Sequence, residues 1–235
     1  MTHGRSKYLV LVAAALAAGS AWSQSAVGSG TITGTVITSD GKPVSKATVS
    51  IAFRQTNAGD PLVPFSALAT TAADGTFKVA NVPNGKYAVC PNAPRTALLP
   101  PCMWGSEPVV TVTNGGTVAE APITMSTGAD LYVRVDDPNG RRAATEVVVP
   151  GAGMMIAVTS SHGAAVPVPR TAVDNNGADY HLFVPMATKL TLIISSATYS
   201  LTNSVGAAIS KQGGYTLPFT IPVGTQQFKQ EIAIH

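Results

Sequence analysis

The histidines of this sequence are the first candidates for catalytic or metal-binding chemistry, and their spacing argues against both. Those beyond position 23 are His162, His181 and His235. None stands in the His-x-x-Glu, His-Glu-x-x-His or His-x-His spacing that brings two zinc ligands together. The sequence also lacks a Gly-x-Ser-x-Gly nucleophile elbow and a phosphate-binding loop. We therefore expect a protein that is not an enzyme and that uses no metal or cofactor.

Ser161 and His162 are adjacent, which suggests a nucleophile beside its general base. On an extended strand, however, neighbouring side chains point to opposite faces of the sheet, so the two groups do not meet easily. We interpret the pair as part of an exposed turn and not as a catalytic dyad.

Two polar turns carry oxygen ligands of the kind that calcium prefers. Residues 136–140 contain two aspartates and one asparagine, and residues 174–179 contain two of each. Neither stretch has the spacing of a complete calcium-binding loop. We interpret both as turns, because Asp and Asn side chains bond readily to their own backbone.

The first 23 residues have the pattern of a secretory signal peptide. Arg5 and Lys7 precede an apolar run at 8–18, and small residues follow at cleavage spacing at 21–23. The apolar run is short for a bilayer span. We predict cleavage and a secreted or periplasmic mature chain without a membrane span; the alternative is an uncleaved N-terminal anchor.

The charge balance gives no indication of a nucleic-acid partner. The chain has 15 basic and 12 acidic residues, and removal of Arg5 and Lys7 with the signal leaves 13 basic residues against 12 acidic ones. Charged residues make up 11% of the chain, whereas about 25% is usual for soluble domains. Hydroxyls and amides must therefore solvate much of the surface.

Cys90 and Cys102 are the only cysteines. An exported chain meets an oxidising compartment, so we predict a disulfide between them. The alternative is two buried thiols, since two cysteines alone are too few for a standard zinc site.

The segment around the second cysteine is the candidate contact surface. Residues 91–108 contain five prolines and cannot form a central strand. Trp104 follows Leu98 and Leu99 on this loop, where a rigidly held aromatic ring could contact a sugar face or a partner at small entropic cost. The alternative is that Trp104 folds back to cover the end of a sandwich.

Alternating apolar residues predict β-structure throughout the mature chain. Residues 70–90 contain two such runs, with Asp-Gly at 74–75 and Asn-Gly at 84–85 marking turns. Further runs occupy residues 31–38, 46–54, 66–72, 109–113 and 117–125. About seven strands in roughly 95 residues indicate an antiparallel sandwich.

The pattern begins again after residue 129. Residues 171–185 echo residues 71–83, and residues 219–234 echo residues 109–124 in the same order. An internal duplication predicts a linker at 24–30, a first module at 31–126 and a second at 129–235. The alternative is one larger sandwich.

The first module resembles the carboxypeptidase regulatory-like domains, which are close in fold to transthyretin (prealbumin) and to Cna B-type repeats. The resemblance is carried by residues 34–51, residues 71–89 and a final strand, with Asn-Gly at 84–85 in place of the usual Pro-Gly. It implies two tandem antiparallel seven-stranded prealbumin-like β-sandwiches. Some Cna B-type relatives cross-link a lysine of the first strand, but residues 31–41 and 129–140 contain none.

The resemblance implies a module that usually has no catalytic site. We therefore expect a secreted binding module for a polysaccharide or another cell-envelope component. The alternative is a structural or assembly module, such as a spacer, adhesin or surface-appendage subunit, with no small ligand. The sequence does not indicate an oligomeric state.

Overall fold

The computed structural model describes residues 28–55, 64–119, 122–140, 153–160, 165–196, 199–203, 206–210 and 213–234. The predicted signal peptide, the Ser161–His162 pair and His235 lie outside these residues. Within the described part of the chain, no helix is long and apolar enough to cross a membrane.

The described residues of the first module form nine strands and one short helix. Its β-branched and alternating runs form the longer strands, as their sequence predicts. The elements are β1 (Gly30–Thr38), β2 (Thr48–Phe53), β3 (Ser66–Thr70), β4 (Thr76–Val82), β5 (Gly85–Asn92), β6 (Leu98–Leu99), α1 (Pro101–Trp104), β7 (Val109–Val112), β8 (Thr117–Ala119) and β9 (Ile123–Thr127).

These strands form two sheets that enclose one core. The first sheet has the order β4-β1-β9-β6, with β8 also paired to β1, and the second has the order β3-β2-β5-β7. Strand β1 runs parallel to both β8 and β9, whereas the other pairs are antiparallel. The sheets are therefore mixed and not purely antiparallel, because the first and last strands of the module lie side by side.

The stretch at residues 70–90 forms a central part of this module, as its turns predict. Gly75 has φ of +78°, and the Asp74 carboxylate accepts hydrogen bonds from the backbone N–H and the hydroxyl of Thr76 at 3.1 and 2.7 Å. Tyr87 is fully buried, and its hydroxyl donates to the Pro83 carbonyl at 2.8 Å. The polar side chains of this stretch form hydrogen bonds with the backbone, as polar residues in turns commonly do.

In the second module, ten strands lie within the ranges that the structure describes. They are β10 (Ala129–Asp136), β11 (Met155–Ser160), β12 (Ala165–Pro167), β13 (Arg170–Asp174), β14 (Gly177–Val184), β15 (Leu190–Ser196), β16 (Leu201–Asn203), β17 (Ala208–Ser210), β18 (Gly213–Phe219) and β19 (Gln227–Ile234). One sheet has the order β13-β14-β10-β19-β16-β17 and the other β12-β11-β15-β18. The prediction of an all-β chain with two sandwiches is confirmed, although short strands raise the counts to nine and ten.

The two modules share one strand order. In the first sheets, β4-β1-β9-β6 corresponds to β14-β10-β19-β16, and the first and last strands are parallel in both modules. In the second sheets, β3-β2-β5-β7 corresponds to β12-β11-β15-β18. The echoed segments of the sequence fall on equivalent strands.

Candidate functional site

The disulfide loop, defined here as residues 93–108, is fastened to the first module at its second sheet. Cys90 on β5 and Cys102 on α1 are bonded, with their Cα atoms 5.7 Å apart. The predicted disulfide is thus confirmed. Helix α1 begins directly after Pro100, and its first residue is also proline, which the first turn of a helix tolerates because that N–H has no helical partner.

Strand β6 of this loop lies between the two cores. Leu98 pairs with Thr127 and Leu99 with Ser126 at the edge of β9. Since successive side chains of a strand point to opposite sides, Leu98 packs against the first core while Leu99 is buried in the second. Two consecutive leucines therefore contact different modules.

Trp104 is buried in the core of the second module, although it is covalently part of the first. Its side chain is 7% exposed and belongs to the same apolar cluster as Leu131 and Val133 of β10. The burial of Trp104 and Leu99 agrees with the alternative in which the tryptophan covers the end of a sandwich, and it leaves little of either side chain for a ligand. Sequence reasoning missed that the covered sandwich is the second one.

A single residue, Gly128, connects β9 to β10. Its N–H donates to the Ala97 carbonyl of the disulfide loop at 2.7 Å. A Cβ atom at this position would lie 2.6 Å from Leu99 Cδ2 and 3.0 Å from the Val184 carbonyl oxygen. We call Leu99, Trp104 and Gly128 the module junction. The close approach of loop and linker there requires glycine.

Glu107 lies beside the disulfide and is held by Arg54. The Arg54 Nε donates to Glu107 Oε2 at 2.6 Å, and Glu107 Oε1 is 3.9 Å from Cys90 Sγ. The ligand atoms of Cys90, Cys102 and Glu107 lie within 4.8 Å of one another. The sulfurs are bonded to each other, however, and metal coordination needs thiolates. The group therefore does not act as a metal site in the oxidised protein.

The fold brings the two acidic turns of the second module together around Arg134. Its guanidinium donates to Asp136 Oδ1 at 2.9 Å, to Asp174 at 2.9 and 3.1 Å, and to Asp179 Oδ1 at 3.0 Å. The guanidinium thus engages oxygens that calcium would need, which supports the interpretation as turns. The Arg134 hydrogen bonds lower the pKa of Asp174, and hydrogen bonding to Asp174 raises the pKa of Arg134 against the opposing effect of burial.

Removal of the Arg134 charge should destabilise the protein in a pH-dependent way. The pKa of Asp174 lies below 3.8 in the folded state. Its contribution to the free energy of unfolding is therefore present above about pH 3.8 and is lost as the pH falls through the folded pKa. Arg134→Gln should therefore lower the urea midpoint clearly at pH 7 and by a smaller amount at pH 3, where part of the Asp174 contribution is lost. The control Lys42→Gln, which breaks an exposed pair with Asp40, should change it little. An equal loss at both pH values would contradict this electrostatic account.

His181 lies on the outer face of the larger sheet of the second module, paired with Asp130. The Nε2 atom is 2.6 Å from Asp130 Oδ1, and Gln227 Nε2 donates to the other carboxylate oxygen at 3.2 Å. The histidine ring packs edge-on against Phe183 at 5.1 Å between centroids. The pair thus joins neighbouring strands β10 and β14.

An open pocket of about 560 Å³ lies at one end of the smaller sheet of the second module. Thr159 and Thr191 are paired across β11 and β15 there, and Phe219 stacks on Phe228 at 5.0 Å with ring planes 11° apart. The lining consists of hydroxyl, apolar and basic residues: Thr159, Ser160, Lys189, Leu190, Thr191, Pro218, Phe219 and Thr220. This pocket could not be predicted from the sequence, because its residues come from three separate strands.

Known proteins resemble parts of this chain in sequence or in fold. Residues 31–97 match the carboxypeptidase regulatory-like domain. This regulatory-like module covers β1 to β5 and the first part of the disulfide loop. It includes residues 34–51 and 71–89, which carry the resemblance, but not the final strand. No curated protein matches the chain in sequence.

Solved structures with a similar fold include pilins. The minor pilin of Streptococcus agalactiae is 12% identical, with 88% of this chain and 96% of that chain covered and a TM-score of 0.43. The Streptococcal ancillary pilin is 10% identical, with 86% and 62% covered and a TM-score of 0.41. A candidate carbohydrate-binding protein from Pseudomonas aeruginosa is 18% identical, with 41% and 90% covered and a TM-score of 0.29.

This chain spans 62% of the length of the ancillary pilin and 34% of the Bacillus anthracis TIE protein, another match. At these identities the likeness concerns the fold alone. The family that matches residues 31–97 is a β-sandwich module, and the similar solved structures include pilins. Neither is an enzyme family.

Proposed function

We propose that this protein is a structural module of an extracytoplasmic assembly, in which the two sandwiches act together as one rigid spacer. The module junction is the observation that carries the proposal. A one-residue linker leaves the modules little freedom, and the disulfide loop of the first contributes Leu99 and Trp104 to the core of the second. A disulfide that fixes such a loop fits an oxidising compartment.

The distribution of charged groups supports the same proposal. Arg134 and the carboxylates around it satisfy one another, as do Arg54 and Glu107. These ion pairs connect loops to strands, and a spacing module requires such connections.

Backbone ¹⁵N relaxation of the mature chain tests the spacer. Amides of both modules should report one common rotational correlation time. The disulfide loop packs against both cores, so the modules cannot tumble independently. Trp104→Ala should bring the two modules closer to separate correlation times. Two distinct times in the unmodified protein would overturn the proposal.

The open pocket favours a second candidate function, the binding of an acidic polysaccharide. Its three threonine hydroxyls offer hydrogen bonds to sugar hydroxyls, Phe219 offers an apolar ring, and Lys189 offers the cation that a uronic acid carboxylate needs. None of the described residues that line this pocket is acidic. The candidate predicts a preference for acidic over neutral glycans.

A glycan array followed by titration tests this candidate. Lys189→Ala should weaken binding of an acidic oligosaccharide about tenfold or more, since a charge-assisted hydrogen bond is worth about 1.5–3 kcal/mol. The control Lys86→Ala removes an exposed cation from the other module and should leave binding unchanged. Failure of the parent protein to bind any acidic glycan, or equal affinity of the Lys189 variant, would eliminate this candidate.

A further inference from the structure

Among the residues that the structure describes, strand β3 is the terminal strand of the sheet β3-β2-β5-β7 and pairs with β2 alone in that sheet. A terminal strand presents unpaired N–H and C=O groups along its outer edge, where another strand can add. The pairing of β3 with β2 is regular over all five residues, without a bulge. The backbone of β3 is thus a regular template for a fifth strand of this sheet on its open side.

Four other terminal strands, β4, β12, β13 and β18, carry features that oppose pairing. Strand β4 has the exposed Lys78 and an irregular register opposite Gly30. Strands β12 and β18 contain proline, and β13 contains charged residues at both ends. Strand β3, with the sequence Ser-Ala-Leu-Ala-Thr, has no charge, proline or glycine. Among these edges it is the least protected against addition of a strand.

The side chains of β3 are arranged symmetrically about Leu68. Ala67 and Ala69 pack against the first core, whereas Leu68 points outward and is 73% exposed. In an antiparallel pair of two copies centred on Leu68, this leucine would face its own equivalent and alanine would face alanine. Ser66 of one copy would face Thr70 of the other. Every opposed pair is therefore chemically matched.

From this symmetry we propose that two copies of the chain associate through antiparallel pairing of their β3 strands. The two four-stranded sheets then become one continuous eight-stranded sheet across a two-fold axis at Leu68. The two leucines bury each other on the outer face, where directly opposed side chains lie about 4.5–5.5 Å apart. This inference rests on the proposed structural role and names a second copy as the partner.

Sedimentation equilibrium of the mature chain over a wide concentration range tests the association. The mass should rise from one chain to two, and Leu68→Lys should raise the dissociation constant at least tenfold, since it places two ammonium groups opposite each other. The control Val223→Lys, at a 78% exposed residue in a turn of the second module, should behave like the parent. A parent protein that stays monomeric, or a Leu68 variant that dimerises equally well, would overturn the proposal.

Cysteine cross-linking tests the register independently of affinity. Leu68→Cys should form a covalent dimer under mild oxidation, because the axis places the two thiols opposite each other. Thr70→Cys alone should not, but it should cross-link to a Ser66→Cys copy in a mixture. Cross-linking of Thr70→Cys to itself would contradict the register. Relaxation of the monomeric Leu68→Lys variant still tests the rigid spacer, so failure of either proposal is recognisable separately.

Discussion

Replacement of Trp104 by alanine should destabilise the second module by about 3–5 kcal/mol, the range measured for removal of a buried tryptophan or phenylalanine. The indole is buried among residues of the second core although it is covalently part of the first module's loop. Its loss leaves a cavity that a loop held at Cys102 cannot easily close. We expect urea unfolding to begin in the second module, as followed by hydrogen exchange of amides on β10 and β15.

Met103→Ala is the matched control for this experiment. Met103 precedes Trp104 on the same helix but is 39% exposed and belongs to neither core. Its removal should cost less than about 1 kcal/mol, as is usual for surface substitutions. If both variants lost equal stability, or if Trp104→Ala affected exchange only in the first module, the indole would not be part of the second core.

Removal of the disulfide by Cys90→Ser and Cys102→Ser together should cost about 3 kcal/mol, since the bond closes a short loop that is otherwise free in the unfolded chain. The cysteines are 12 residues apart in sequence. Because α1 carries both Cys102 and Trp104, we expect the loss to extend to the second module. Urea unfolding of the double variant should show faster amide exchange on both sides of the junction.

A double-mutant cycle distinguishes this coupling from a purely local effect. When Trp104→Ala is combined with the two serine substitutions, the summed losses should exceed the measured loss, because each change already releases the same loop. The control pair is Lys42→Gln with the serine substitutions, which is expected to be additive, because Lys42 is exposed and pairs only with Asp40 among the described ion pairs. Additive losses for Trp104 and the disulfide would mean that the bond stabilises the first module alone.

These results would connect the disulfide to the spacer function. A two-module chain transmits force or fixes a distance only if its modules keep their orientation. Here the linker is the single residue Gly128. The contact between the modules is made by Leu99 and Trp104 of the disulfide loop, which are buried in the core of the second module. The stability of this small contact depends on the loop that the disulfide holds.

The positions of the longer strands of the first module, and the faces that they bury, followed from the sequence. Val49 and Ile51 are buried while their neighbours Thr48 and Ala52 are exposed, because alternate residues of a strand point to opposite sides. The turn at residues 74–75 and the pairing of the two cysteines followed equally well. Each of these features depends on residues close in sequence or on the only pairing that two cysteines allow.

What the tertiary structure alone decided is which elements meet. The parallel contact of β1 with β9, the gathering of three carboxylates at Arg134 and the pocket around Lys189 each join segments far apart in the chain. Trp104 illustrates the same limit. From the sequence, Trp104 was a candidate contact for a ligand or partner, with coverage of the end of a sandwich as the alternative, because a local pattern does not show which surface a side chain meets. Which core receives it depends on the path of the disulfide loop and on the one-residue linker, and only the folded arrangement of both modules settles that.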